Sequence, residues 1–183
     1  MDPIIDGGLW AEPSDTERTS TIRAGYATPA TTGIPLISEI VESHVDVPVL
    51  VSLPLVNRRH ALVYWTGRLA DKMAIRGRSS VTLHVATSDD SAHIMAYLYD
   101  VNALGKGTLI THGTATLHDI ASQAQTLRVD LNAVAYDVPA GRRLVLVIDT
   151  LDPLYATRTG LGARLRFPHS AAQPMTLDIE TRR

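Results

Sequence analysis

Serines, seven histidines and scattered carboxylates are the groups in this 183-residue chain that could attack, shuttle protons or hold a metal. Cysteine is absent, which removes thiol nucleophiles, zinc-thiolate sites and disulfides. An esterase or peptidase serine of the nucleophile-elbow type needs G-x-S-x-G on a strained turn between a strand and a helix. The nearest stretch, "GRSSV" at 77–81, lacks the second glycine and runs into a strand. Ser79 and Ser80 therefore read as turn residues. His112 and His118 share a face of one strand, but six residues of strand hold them about 20 Å apart. His84 and His93 flank the loop "ATSDDSA" and could meet across strands, yet the spacing of a ligand set is missing. "TSDDS" at 87–91 lacks the EF-hand pattern and reads as a solvated acidic turn. "NALGKGT" at 102–108 reads as a hairpin loop, because a phosphate loop ends in G-K-[ST] on a helix. No cofactor or metal is called for.

The remaining chemical possibility is recognition through aromatic side chains, and aromatics make up only 5% of the chain. Tyr64 and Trp65 are adjacent on a strand, so one faces the core and the other outward. Tyr97 and Tyr99 share a face and are expected to pack between sheets.

The elements that would carry these residues are short strands. Val81, Leu83 and Val85 alternate with Thr82 and His84 in "SVTLHVAT", and Leu127, Val129 and Leu131 repeat the pattern in "TLRVDL". "HIMAYLYDV" at 93–101 is apolar on both faces, as a central strand covered on both sides requires. "VLVSLPL", "ALVYW", "LADKMAIRG", "GTLITHGTATLH" with a bulge expected at Gly113, "RLVLVID" and "MTLDIE" complete the set. Pro139 and Gly141 occupy the second and fourth places of a type I turn at 138–141. Residues 1–47 read as an irregular lead or linker, with one short helix at 34–43, or alternatively a strand. Residues 48–183 read as an all-β sandwich or barrel.

With a net charge of -2 and a pI near 6.4, the chain lacks the basic footprint that nucleic acid demands. "LVLVI" at 144–148 is far too short to span a bilayer, and residues 1–10 show no signal-peptide pattern. The expectation is a cytoplasmic protein that binds neither membrane nor nucleic acid.

The order of these pieces resembles the C-terminal domain of the Xaa-Pro dipeptidyl-peptidase family, which includes cocaine esterase and the α-amino-acid ester hydrolases. Gly77, Val81, Leu83 and Val85 stand where that family has "G-x-P/S-x-V-x-L-x-V", followed by Asp89 and Asp90 in a short acidic loop. Leu98, Asp100 and Val101 end the next strand as "L-x-D-V". "ITHGTATLHD" is similar to a further strand element of the family. Asp130, Leu131, Ala135, Ala140, Gly141, Arg143, Leu144 and Asp152 then match its longest signature, with Arg142 in place of a frequent His. "PLYATRT" at 153–159 resembles the loop that follows. The likeness spans roughly residues 58–181.

This resemblance implies a jelly-roll β-sandwich, galactose-binding-like, that packs on an α/β-hydrolase domain in the same protein or in a separate chain. No stretch matches that catalytic domain, so the implied role is non-catalytic: shaping substrate access or helping a homo-oligomer form. A free-standing carbohydrate- or protein-binding module is the alternative. The docking surface implied is 150–160 with 57–65, which gathers His60, Tyr64, Trp65, Asp152, Tyr155 and Arg158. Tyr, Trp and Arg anchor interfaces because they bury large area while still offering hydrogen bonds.

Overall fold

All 11 residues of Ser91–Val101 are buried, and the architecture is built around that strand. The computed structural model describes residues 7–9, 17–26, 28–30, 50–118, 123–152, 155 and 159–182. In chain order the strands are β1 (Gly7–Gly8), β2 (Arg18–Arg23), β3 (Leu50–Ser52), β4 (Leu62–Trp65), β5 (Met73–Gly77), β6 (Ser80–Thr87) and β7 (Ser91–Val101). They continue with β8 (Lys106–His118), β9 (Gln125–Asp130), β10 (Val134–Val138), β11 (Arg143–Asp149), β12 (Arg164–His169) and β13 (Thr176–Asp178). A single 3-10 turn, Leu53–Leu55, is the only helical element among the described residues. It ends β3 three residues after it begins, because Pro54 cannot continue a ladder. No helix among the described residues is long and apolar enough to cross a membrane.

The main sheet runs β1-β4-β11-β7-β8-β3, antiparallel except for the β1–β4 pair. Against it lie a sheet of order β13-β6-β12-β2, with β9 pairing β6, and the two-stranded β5–β10 ribbon. The core between the layers takes Leu62, Ile94, Ala96, Leu98, Leu144, Leu146 and Ile148 from one side. Val81, Leu83, Val85, Leu127, Val129, Leu165 and Phe167 supply the other. This is an all-β sandwich, and the alternation in β6 and β9 has the side-chain directions expected.

Three details differ from the sequence reading. Arg18–Arg23, inside the stretch read as an irregular lead, is a strand that pairs residue for residue with Arg164–His169. The helix or strand expected at 34–43 lies outside the described residues. The β7–β8 bulge falls at Ile110, between the pairs Leu98–Thr111 and Tyr99–Leu109, and not at Gly113. Gly113 answers to a different constraint. A Cβ there would stand 2.2 Å from the Asp130 carbonyl oxygen, because the chain leaving β9 crosses β8 at that point. The Asn132 N–H donates to His112 O at 2.8 Å and the Thr111 hydroxyl to Asn132 O at 2.7 Å, which holds the crossing in place. Finally, the turn before β11 is displaced by one residue: the Arg142 N–H closes onto Pro139 O at 3.4 Å. Gly141 is then third, with φ +79°, as a type II turn requires.

One buried charge ties this turn to the central strand. Asp100, near the end of β7, is 1% exposed. Its Oδ2 accepts the Tyr136 hydroxyl of β10 at 3.0 Å, and Arg142 Nε lies 3.3 Å from its Oδ1 as an ion pair. Removing one partner of such a pair strands a charge in the interior, which typically costs 3–5 kcal/mol.

These glycines give a test by urea denaturation. Gly141→Ala meets nothing within 4 Å and pays only for its positive φ, about 1 kcal/mol. Gly113→Ala must displace backbone and should cost more, about 1–3 kcal/mol or loss of folding. Equal losses at the two sites would contradict this account.

Candidate functional site

The outer face of the main sheet, turned away from the second layer, is not the polar surface that a two-layer sandwich normally shows water. Val63, Val145, Val147, Met95, Tyr97, Tyr99 and Val101 line it, all buried. Val51 of the edge strand β3 joins them, and Ala30, Leu53, Val56 and Ala61 pack over them. Tyr97 and Tyr99 thus share a face, as expected, but it is this outer one and not the space between the sheets. Ile94, Ala96 and Leu98 take the inner positions, since successive side chains of β7 alternate.

A polar group sits within this apolar layer. The Tyr97 hydroxyl donates to Asp152 Oδ2 at 2.6 Å. The Thr28 hydroxyl donates to Asp149 Oδ2 at 2.5 Å, across 121 residues of chain. Asp149 Oδ1 accepts the Thr150 N–H at 2.7 Å. His112 Nε2 and the Tyr155 hydroxyl are hydrogen-bonded at 2.9 Å, and the His112 ring stacks on Tyr97 with centroids 6.2 Å apart. The Tyr99 hydroxyl is buried with no hydrogen-bond partner among the described residues. The bulge at Ile110 is what places His112 here: uninterrupted alternation from Leu109, which faces outward opposite Tyr99, would turn His112 inward.

The electrostatics are those of a tie, not of a reaction centre. Burial raises the Tyr97 and Tyr99 phenols well above their ordinary value, and the nearby Asp149 and Asp152 carboxylates raise them further. Both stay protonated at neutral pH, opposite to what an activated nucleophile needs. Burial lowers His112, against a smaller opposing pull from Asp152. Burial lifts Asp149 to about 6, while hydrogen bonds from Thr28, Thr150 and Leu151 partly offset the rise.

Each residue expected at the docking surface has a distinct place. Trp65, half-buried, borders the outer-face cluster, as does Tyr155 on the other side of the sheet centre. Asp152 is 1% exposed beneath Tyr97. Tyr64 turns to the opposite face, where it contacts Met175 Sδ at 3.9 Å and burial pushes its phenol up to about 12. His60 lies apart from these, its ring 4.3 Å from that of Tyr26 and its Nδ1 3.1 Å from Arg23 O. Arg158 lies outside the described residues. The structure therefore brings Trp65, Asp152 and Tyr155 to one face and leaves Tyr64 and His60 elsewhere. Sequence reading missed Thr28 and Asp149 and weighed His112 only beside His118, because the partners of all three come from distant segments.

The other chemical candidates disperse. Ser79 and Ser80 are buried at the entry to β6, without an elbow. His84 meets Thr126, whereas His93 sits between Thr114 and Thr116. Among the described residues no group of three His, Asp or Glu side chains could hold a metal ion. Asp89 is occupied in its own turn: hydrogen bonds from the Gly160 and Asp90 N–H groups hold its carboxyl below the usual range.

The fold is thus an all-β sandwich whose outer layer encloses a bonded polar group. Residues 11–177 match the family described as the X-Pro dipeptidyl-peptidase C-terminal non-catalytic domain, and the chain belongs to that family. No curated protein sequence matches it significantly. Among solved structures, an aminopeptidase from a marine sediment Thaumarchaeota archaeon superposes with TM-score 0.70 at 15% identity, covering 92% of this chain and 34% of that one. A selenomethionine-labelled α-amino acid ester hydrolase gives TM-score 0.58 at 20% identity over 68% of this chain and 26% of its own. A CocE/NonD family hydrolase from Staphylococcus aureus gives 0.56 at 8% identity, over 91% and 37%. At these identities the likeness concerns the fold. The chain spans between 26% and 37% of the length of these three proteins.

Asp149 yields a pH prediction with a definite sign. Its folded pKa, about 6, stands above the ordinary 3.8, so the native state holds its proton more tightly than the unfolded chain does. The associated stability is present below pH 4 and is lost as pH rises towards 6, by roughly 2–3 kcal/mol. Asp149→Asn should flatten this part of a stability–pH curve measured by urea denaturation. An unchanged slope in the variant would contradict the assignment.

Proposed function

We propose that this chain is the non-catalytic accessory domain of an Xaa-Pro dipeptidyl-peptidase-like serine hydrolase. It packs on an α/β-hydrolase domain and shapes substrate access or oligomerisation, with strands joined in jelly-roll order. The observation that carries this is the family match over residues 11–177, and the half-buried Trp65, Leu109 and Tyr155 at the border of the outer face offer the place of contact. The face itself is covered by the chain's own Ala30, Leu53, Val56 and Ala61, so only its half-buried border is offered to a partner. The share of each related hydrolase that the chain matches supports the same reading. The lead, 1–47, would then tether the domain, with Arg18–Arg23 and Thr28 fastening it to the sandwich.

The test is co-expression with an α/β-hydrolase domain from the same genome that carries a Ser-Asp-His triad. The two should co-elute on size exclusion, and Trp65→Arg should weaken the pair at least tenfold, as loss of an interface anchor does. The isolated chain should turn over neither Xaa-Pro dipeptide substrates nor aryl esters. Hydrolysis by the isolated chain that a single Ser→Ala substitution abolishes would contradict the proposal. So would failure of the wild-type pair to associate.

A further inference from the structure

The second sheet presents its own unexplained feature on the face away from the core. β12 and β2 pair so that Arg164 stands directly opposite Arg23, and Arg166 opposite Thr21. All three arginines are exposed on the outward side, since the residues between them, Leu165 on β12 and Ile22 on β2, are buried in the core. Like charges placed directly across a strand pair destabilise it. Three other arginines meet a carboxylate: Arg76 meets Asp137, Arg128 meets Asp130 and Arg142 meets Asp100. Among the described residues, the guanidinium groups of Arg23, Arg164 and Arg166 have no carboxylate within ion-pairing distance and no hydrogen-bond acceptor.

Two shallow clefts lie beside these arginines and share Arg166. One, of about 260 Å³, is lined by Thr87, Ser88, Arg164 and Arg166. The other, of about 190 Å³, is lined by Thr19, Ala86, Ala124, Arg166 and Pro168. Ser88 Oγ accepts the Arg164 N–H at 3.0 Å, which leaves its own proton free to donate. The nearest acids in the adjoining turn are Asp89 and Asp90. Asp89 already accepts the Gly160 and Asp90 N–H groups and forms no ion pair with the arginines.

We propose that this face binds a tetrahedral oxyanion, phosphate or sulfate, between Arg164 and Arg166 with Arg23 across the strand pair. The planar guanidinium fork suits two oxygens of such a group, and a single anion would convert the Arg23–Arg164 repulsion into two attractive contacts. Hydroxyl donors at Ser88 and the clefts beside the arginines leave room for an organic ester. The chain's net charge of -2 makes a basic cluster of this kind a local device and not a general consequence of composition.

The test titrates the full chain with inorganic phosphate, inorganic sulfate, and a phosphorylated and a sulfated monosaccharide, at constant ionic strength set with sodium chloride. Thermal unfolding and the arginine Nε–Hε NMR signals are read together. The oxyanions should raise Tm saturably and shift the Arg23, Arg164 and Arg166 signals, leaving those of Arg76 and Arg128 in place. Tighter binding of an ester than of the free ion would identify an organic ligand, and equal binding a free oxyanion; either supports the site. Arg164→Gln should raise Tm in chloride alone, because a repulsion is removed, and weaken oxyanion binding about tenfold. Arg166→Gln should weaken binding similarly. A Tm rise no larger than chloride produces, or one that both variants retain, would overturn the proposal. If the variants do not fold, wild-type signals that fail to saturate would overturn it as well.

Discussion

A sheet that must be buried on both faces is the constraint from which the rest of this structure follows. β7 and β11 have no polar side turned to water: Ile94, Ala96, Leu98, Leu144, Leu146 and Ile148 fill one core, and Met95, Tyr97, Tyr99, Val145 and Val147 fill the other. The first core is closed by the second sheet. Among the described residues no sheet opposes the second, which is covered by Ala30, Leu53, Val56 and Ala61, with the chain after β11 at its border. Hydrophobic burial supplies the driving force for both, at about 25 cal/mol per Å2 of apolar surface removed from water. It does not fix which segment lies where, and the polar pairs do that. Thr28 on Asp149 and Tyr97 on Asp152 hold covering chain at defined points, since each buried hydroxyl or carboxylate left unmatched would cost more than an apolar contact returns.

The same reasoning explains the family signature around the turn before β11. The aspartate of "YLYDV" and the arginine of "AGRRL" are far apart in sequence, yet Asp100 and Arg142 form one buried-to-surface ion pair, with Tyr136 closing the third side. Where the family often has His, Arg142 keeps a cation beside the carboxylate at any pH. The turn between β10 and β11 is part of the clasp that locks the ribbon β5–β10 and strand β11 to the end of β7.

Much of this was legible in the residues. Val81, Leu83 and Val85 in β6 and Leu127 and Val129 in β9 reveal their inward faces by alternation, because one side of those strands meets water. β7 reveals its centrality by lacking alternation. The pattern fails where the cause is not local. Tyr97 and Tyr99 announce a shared face but not which one, since both faces of β7 are buried. Gly113 looks like a bulge, yet it is glycine because Asp130 passes over it, while the real bulge at Ile110 carries no marker residue and alone decides that His112 joins the outer face. Arg18–Arg23 has little strand pattern of its own, and its partner β12 lies more than a hundred residues away. Trp65, Asp152 and Tyr155 reach one face, whereas His60 and Tyr64 lie elsewhere because 57–60 turns away from the sheet and Tyr64 alternates inward.

The central claim is that the border of the outer face, at Trp65 and Tyr155, is where this domain meets a hydrolase. Hydrogen–deuterium exchange on the chain, alone and in complex with its α/β-hydrolase domain, tests it most directly. Peptides covering β4 and residues 150–160 should gain protection in the complex, with β2, β9 and β12 on the opposite layer unchanged. Protection confined to β2, β9 and β12, with β4 and 150–160 exchanging as in the free chain, would contradict it.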